Sequence, residues 1–261
     1  MKFDNSKIKF SKNDLRKNII LPDEMTPLLA EEIGLHVGDG SMNFYKNKNN
    51  QKGFYQLRGH IIDDKDHYSS RIKYIYKRLY NLNISLRKMP STGVLGFQVW
   101  SNALVSFKHE KLKLILGDKL HITIPNEFFE NNELSKSFLR GYYDTDGCLY
   151  VHPKNGKMYP RIEITSISKE LIEKVSIILK NLGFRFSIHR EDREKYGWND
   201  LYKLRISGPT MVHKWFYEIS PKNPKHIKKY KKWARGDSNS GLREEAVSSL
   251  HSISYPGIDG N

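Results

Sequence analysis

The chain has 261 residues, 38% of them hydrophobic and 12% aromatic, enough for one large domain or two smaller ones with a sizeable core, and no apolar run approaches the ~20 residues of a membrane span. Lys and Arg outnumber Asp and Glu by 44 to 29, giving a net charge of +15 and a pI near 9.6, which suits a polyanionic partner. With Cys148 as the only cysteine, an intramolecular disulfide is excluded and a thiolate-rich zinc site is disfavoured.

The charged start, Met1 to Lys17, lacks the apolar core of an export signal. An intracellular setting, cytoplasmic or organellar, is therefore expected, with no membrane partner. Residues 1–20 read as a polar N-terminal leader. Thr26-Pro27 then marks a helix start, with threonine as N-cap and proline at the first helical position. Leu29, Ile33 and Val37 form an apolar stripe, while Gly34 and Gly38 share the neighbouring side. Glycine costs about 1 kcal/mol in a helix interior, so two of them a turn apart point to close approach of another helix. Gly40 is read as the C-cap.

Alternation follows. Gln56, Arg58 and His60 lie on one face of a strand and Tyr55, Leu57 and Ile61 on the other. A helix over 67–81, short strands at 84–87 and 95–101, and a helix over 103–116 complete the first half; 117–132 is the connection. The order then repeats: a helix from Ser135 to Gly147, strands at 148–152 and 159–166, a helix over 170–182, strands at 184–189 and 201–207, and a last helix carrying Met211, Trp215 and Ile219. The polar faces of these strands are Arg161, Glu163 and Thr165; Arg185, Ser187 and His189; and Lys203 and Arg205. From Lys222 to Arg235 the chain is basic, which fits either a phosphate-contacting helix or a solvated helical face. Residues 236–261, rich in Ser and Gly, read as a flexible tail or a cloning scar; Asp237 to Asn261 carries four acids and one arginine, so the basic excess belongs to the rest.

The halves share more than element order. Gly34 and Gly141, Asp39 and Asp146, and Gly40 and Gly147 are all related by the same offset of 107 positions. A carboxylate at a helix C-terminus lies at the negative end of the dipole, and two such ends meeting would repel until a divalent cation joined them. Oxygen ligands of this kind suit Mg²⁺, with waters and substrate phosphates completing its shell, and that chemistry is phosphodiester hydrolysis. An EF-hand is excluded at Asp144-Thr145-Asp146-Gly147, because the loop's first and twelfth positions would be Tyr142 and Pro153. No phosphate-cradling Gly-rich loop ending in Lys-Ser/Thr is present. Arg and Gln read guanine and adenine edges, and a β-ribbon fits the major groove, so the polar strand faces are candidate DNA contacts.

The stretches Ile33-Gly34-Leu35-His36-Val37-Gly38-Asp39-Gly40 and Leu139-Arg140-Gly141-Tyr142-Tyr143-Asp144-Thr145-Asp146-Gly147 resemble the LAGLIDADG motif of homing endonucleases, with Val37 standing where the second copy has Asp144. The resemblance extends from about Leu21 to Lys232. It implies an α+β fold of two pseudo-symmetric αββαββα halves (residues 21–128 and 129–235) that form a DNA-binding saddle of antiparallel sheets. The motif helices would pack at the centre through Gly34, Gly38, Gly141 and Thr145. It further implies a monomer that cuts both strands of a long site, leaving short 3′ overhangs, with Asp39 and Asp146 as catalytic metal ligands. Gly38 and Thr145, directly before those acids, complete the metal candidates. Lys65 and Lys169 would be the basic catalytic residues. The alternative is a maturase that binds intron RNA, or a non-cleaving DNA-binding regulator.

Overall fold

The computed structural model describes residues 1–47, 50–154 and 156–236. The expected tail beyond Gly236 lies outside them. A short helix α1 (Lys12–Arg16) precedes the first half, which runs α2 (Pro27–Asp39), β1 (Gly40–Asn47), β2 (Asn50–His60), α3 (residues 65–80), β3 (Arg87–Met89), β4 (Val94–Trp100) and α4 (residues 102–111). The second half repeats it: α5 (Asn132–Asp146), β5 (Gly147–Lys154), β6 (Lys157–Ser166), α6 (Lys169–Asn181), β7 (Ser187–Glu191), β8 (Leu201–Ser207) and α7 (Pro209–Glu218). Helix α8 (Pro224–Gly236) follows. Each half holds one antiparallel four-stranded sheet, in the orders β1-β2-β4-β3 and β5-β6-β8-β7. The expected αββαββα duplication is therefore the observed fold. Among the described residues no helix is long and apolar enough to cross a membrane.

The motif helices start where side-chain chemistry supplies a cap. Thr26 Oγ1 accepts the Leu29 N–H at 3.2 Å, and Asn131 Oδ1 accepts those of Glu133 and Leu134 at 3.0 and 3.1 Å, satisfying amide donors that a first turn leaves open. Helix α5 thus begins before Ser135, because Asn131 caps it. Both helices end at a glycine, Gly40 and Gly147, whose backbone is extended and not left-handed. Glycine is required there for space. A Cβ on Gly40 would lie 2.5 Å from His36 Nδ1, and one on Gly147 would collide with the Tyr143 ring.

The segment expected as a leader belongs to the first half's core. Ile8 and Ile19 are buried, and Phe3 meets Phe107 edge-on at 5.4 Å. Asp14, wholly buried, accepts the Ser11 N–H at 2.7 Å and the Ala103 N–H at 3.3 Å, tying α1 to the start of α4. The apolar residues here are too widely spaced to form a helical stripe, which hid their burial.

Two short strands are displaced from their expected places. The first half's edge strand is Arg87–Met89 instead of 84–87, and the second half's is Ser187–Glu191 instead of 184–189. Ile84 and Phe184 are buried in the core, so alternation around them reports the approach to the sheet. Helix α4 stops at Lys111 instead of Leu116, and Lys113 takes a positive φ of 59°. The basic segment is helical with one face packed: His226, Tyr230 and Trp233 of α8 are buried, Tyr230 stacks on Phe216 at 4.0 Å, and Trp233 Nε1 donates to the Met158 carbonyl at 2.9 Å. Lys228, Lys229 and Lys232 remain exposed.

Candidate metal and nucleic-acid site

Helices α2 and α5 pack directly against each other. A Cβ on Gly34 would overlap the Phe138 carbonyl oxygen and stand 2.6 Å from the Tyr142 nitrogen, and one on Gly141 would overlap the Glu31 carbonyl oxygen. Gly38 is closed off by the Thr145 side chain. The four expected packing residues are therefore all at the contact. An ion pair fastens it: Glu31 of α2, buried, accepts Arg71 Nε at 2.7 Å and Arg140 Nη1 of α5 at 3.2 Å. Burial by itself would push the Glu31 carboxyl up, but the two guanidiniums hold it below its usual range.

This packing brings the helix ends, and with them Asp39 and Asp146, together. Burial first and the neighbouring Asp146 second push the Asp39 carboxyl up to about 7. Asp146 is open to solvent, and its carboxyl is held up less, to about 6, by the crowding of protein around it, with Lys119 and Lys225 pulling it down. Tyr68 donates its hydroxyl to Asp39 Oδ2 at 2.9 Å. It lies in a π-helical turn of α3, Tyr68–Ile72, a local widening that recurs at functional sites. Gly59 of β2 leaves room between these groups, since a Cβ there would come 2.9 Å from Asp64 Oδ2 and 3.2 Å from Asp39 Oδ2.

The structure replaces both expected lysines. Lys65 is exposed at the start of α3, and Lys169 pairs with Glu173 on the surface of α6; neither is among the charges acting on the two acids. Lys119, from the connection between halves, takes that place. Its ammonium donates to the main-chain carbonyls of Val37, at 3.0 Å, and Gly38, and both acids favour its charged form against the burial that lowers its pKa. Its counterpart is Lys225 at the start of α8, which pairs with Asp64 at 2.7 Å and acts on Asp146. Lys119 and Lys225 stand 106 positions apart, close to the repeat offset of 107. That near-register was the sequence signal for them.

The mismatch between Val37 and Asp144 also has a structural reason. Asp144 Oδ2 accepts the Lys222 N–H at 2.8 Å. Asn223 Nδ2 donates to the Asp144 carbonyl at 2.9 Å and to Asp64 Oδ1 at 2.7 Å. Asp144 thus anchors the chain entering α8, and through Asn223 that anchor reaches the first half. Val37 offers no side-chain acceptor and is buried as an ordinary apolar residue, with its carbonyl accepting the Lys119 ammonium.

The two carboxylates are oxygen donors of the kind a hard cation takes, whereas the Gly38 carbonyl expected beside them already accepts the Lys119 ammonium. The Thr145 hydroxyl is not part of this donor set, because it donates back to the carbonyls of Gly141 and Tyr142 at 3.1 and 2.9 Å. Among the described residues no group of three or more His, Cys, Asp or Glu could hold a metal. Two carboxylates suit a cation that keeps waters and substrate oxygens in its shell. The Lys119 ammonium, drawn to the Val37 and Gly38 carbonyls and favoured by both acids, shows the negative potential at these helix ends.

On the first sheet, Gln56, Arg58 and His60 share the polar face with Gln98 and Arg87, paired through Gln56↔Gln98 and Arg58↔Gly96↔Arg87. His60 is held by Asp63 at 3.1 Å. On the second, Arg161, Glu163 and Thr165 of β6 line up with Ser207, Arg205 and Lys203 of β8, and Ser187 and His189 of β7 with Arg205 and Lys203. Glu163 is not a free contact: it is buried and engaged by arginines. Arg185 lies before β7, its N–H directed at the Met211 sulfur, so it leaves the expected row.

Residues 133–219 match the model of the LAGLIDADG-like domain. Among curated proteins, a glutamine–fructose-6-phosphate aminotransferase of Methanocaldococcus jannaschii is 26% identical over 187 residues, 71% of this chain and 15% of that protein. A probable translation initiation factor IF-2 of the same organism is 28% identical over 178 residues, 62% of this chain and 14% of that protein. The chain spans about one seventh of the length of these relatives. Their printed activities are unrelated to each other, so what they share with this chain is a module. Among solved structures, I-DmoI in complex with DNA and Mn is 24% identical with a TM-score of 0.53, covering 74% of this chain and 96% of that one. The LAGLIDADG meganuclease I-AabMI bound to uncleaved DNA is 14% identical with a TM-score of 0.52, covering 88% and 100%. At these identities the likeness is one of fold.

Proposed function

We propose that this chain belongs to the LAGLIDADG family and is a site-specific double-strand DNA endonuclease that hydrolyses phosphodiester bonds with a divalent cation, Mg²⁺ foremost, and leaves short 3′ overhangs. The observation that carries the proposal is the meeting of Asp39 and Asp146 at the ends of two helices packed backbone to backbone, each raised by its surroundings, with Lys119 acting on both acids and Lys225 on Asp146. Held by these acids, a divalent cation supplies Lewis-acid stabilisation of the phosphate and a water of lowered pKa. The chain's own groups do the rest. Tyr68 orients the Asp39 carboxylate, the Gly34–Gly141 contact fixes the distance between the two acids, and Lys119 and Lys225 place positive charge where phosphate charge develops. The sheet faces would lie along the duplex, with the protein acting as a monomer.

The test is cleavage of a comprehensive duplex target library with and without Mg²⁺; no double-strand cut at any member rejects the nuclease. Lys119→Met is expected to slow cleavage of the best target about a hundredfold while duplex affinity changes by less than about threefold. Cleavage by Lys119→Met at the wild-type rate, in single-turnover assays, would remove Lys119 from the site.

A further inference from the structure

The two halves hold their arginines differently. In the first, Arg58 and Arg87 flank the side-chain-free Gly96, and neither meets an acid among the described residues. In the second, Glu163 of β6 sits opposite Arg205 of β8. Its Oε2 accepts Arg205 Nε at 2.6 Å and lies 3.7 Å from Arg161 Nη2. The Arg161 guanidinium also covers the Tyr150 ring at 5.3 Å, its cross-strand partner on β5.

We propose that Glu163 is a specificity-determining positioning residue: it holds Arg161 and Arg205 as a pre-oriented pair that reads two guanines, making the second half of the target the more sharply discriminated one. The proposal rests on the duplex-DNA reading of the sheets. Because Arg205 spends its Nε on Glu163, both terminal Nη groups stay without a protein partner among the described residues, and that terminal fork is the one that meets guanine O6 and N7. A guanidinium already held by a buried carboxylate loses less freedom when it binds a base than a free one does. One carboxylate between two guanidiniums leaves the cluster net positive, so it still attracts DNA. Glu163 itself is buried beneath them and acts through them.

Selection by binding from a randomised duplex library in Ca²⁺ needs no cleavage and reads base preference position by position. The wild type is expected to prefer guanine about tenfold or more at two positions. Arg161→Ala and Arg205→Ala should each erase one of them. Glu163→Ala should weaken both by about tenfold, with total duplex affinity within about threefold and the melting temperature monitored in parallel. Should Glu163→Ala melt early, Glu163→Gln, which keeps the shape and one acceptor but not the charge, decides by weakening both preferences partially. Undiminished guanine preference in the folded Glu163 variant overturns the proposal, as does a wild type that prefers other bases at the positions lost in the arginine variants. A wild type that enriches no sequence overturns the duplex-recognition reading and this inference with it. Enrichment without cleavage of the enriched site rejects only the nuclease and leaves the arginine and Glu163 variants to decide the inference.

Discussion

Asp39→Asn and Asp146→Asn are each expected to reduce double-strand cleavage by about a thousandfold or more, since a carboxylate ligand lost from a divalent site forfeits several kcal/mol of transition-state stabilisation. Duplex binding should survive, because the acids lie at the helix ends and the polar sheet faces are untouched. A supercoiled plasmid carrying the target separates the outcomes: linear product at the wild-type rate from both variants would strip the two acids of their role. The same substitution has a stability consequence of opposite sign. Asp39 titrates at about 7 in the folded protein against 3.8 as a free group, so the folded state binds the extra proton between those values. Stability from this group is thus present at low pH and lost as pH rises towards and through 7. Allowing for partial exposure of the carboxyl, Asp39→Asn is expected to be about 2 kcal/mol more stable than the wild type at pH 8, with the gap narrowing towards pH 5. Added Mg²⁺ should raise the melting temperature of the wild type at pH 8 and not that of the variant. Equal melting temperatures for both proteins across this range would contradict the crowding assigned to Asp39.

Lys108→Met carries the largest expected effect on the fold. Lys108 and Glu32 are wholly buried and paired, behind the helix that delivers Asp39. Tyr76 and Tyr80 donate to the same carboxylate at 2.6 and 3.0 Å, and the ammonium lies 4.8 Å from the Tyr55 ring. Removing one partner of such a pair strands a charge that water cannot reach, a loss of about 3–5 kcal/mol. For a chain of this size that is a drop of roughly 10 °C in melting temperature. The double variant Glu32→Gln/Lys108→Met should recover most of it, because no charge is then left unpaired. A single variant that melts within about 2 °C of the wild type would show that the cluster is not holding α2.

The repeated frame from Gly34 to Gly40 and from Gly141 to Gly147 was open to reading because helix and strand periods are local: apolar spacing, a threonine–proline start and glycines on one side report a helix and its close neighbour without any knowledge of the rest. The strand faces were legible for the same reason wherever a strand was long, as at Tyr55 to His60. Short edge strands were misplaced where core residues such as Phe184 continued the alternation beyond the ladder.

By itself, the sequence determined the duplication and the two acids at matching helix ends, since both are written in chain order, while its net charge suits a polyanionic partner. Only the tertiary structure decided which cations stand at the acids. Lys119 arrives from the connection between the halves and Lys225 from the first turn of α8, Asp64 and Asn223 join across the halves over 159 positions, and Glu163 is bound by Arg205 across a strand pair. These placements depend on two glycine-lined helices packing tightly enough to bring four separate segments together, and contact across that centre leaves no trace in local spacing.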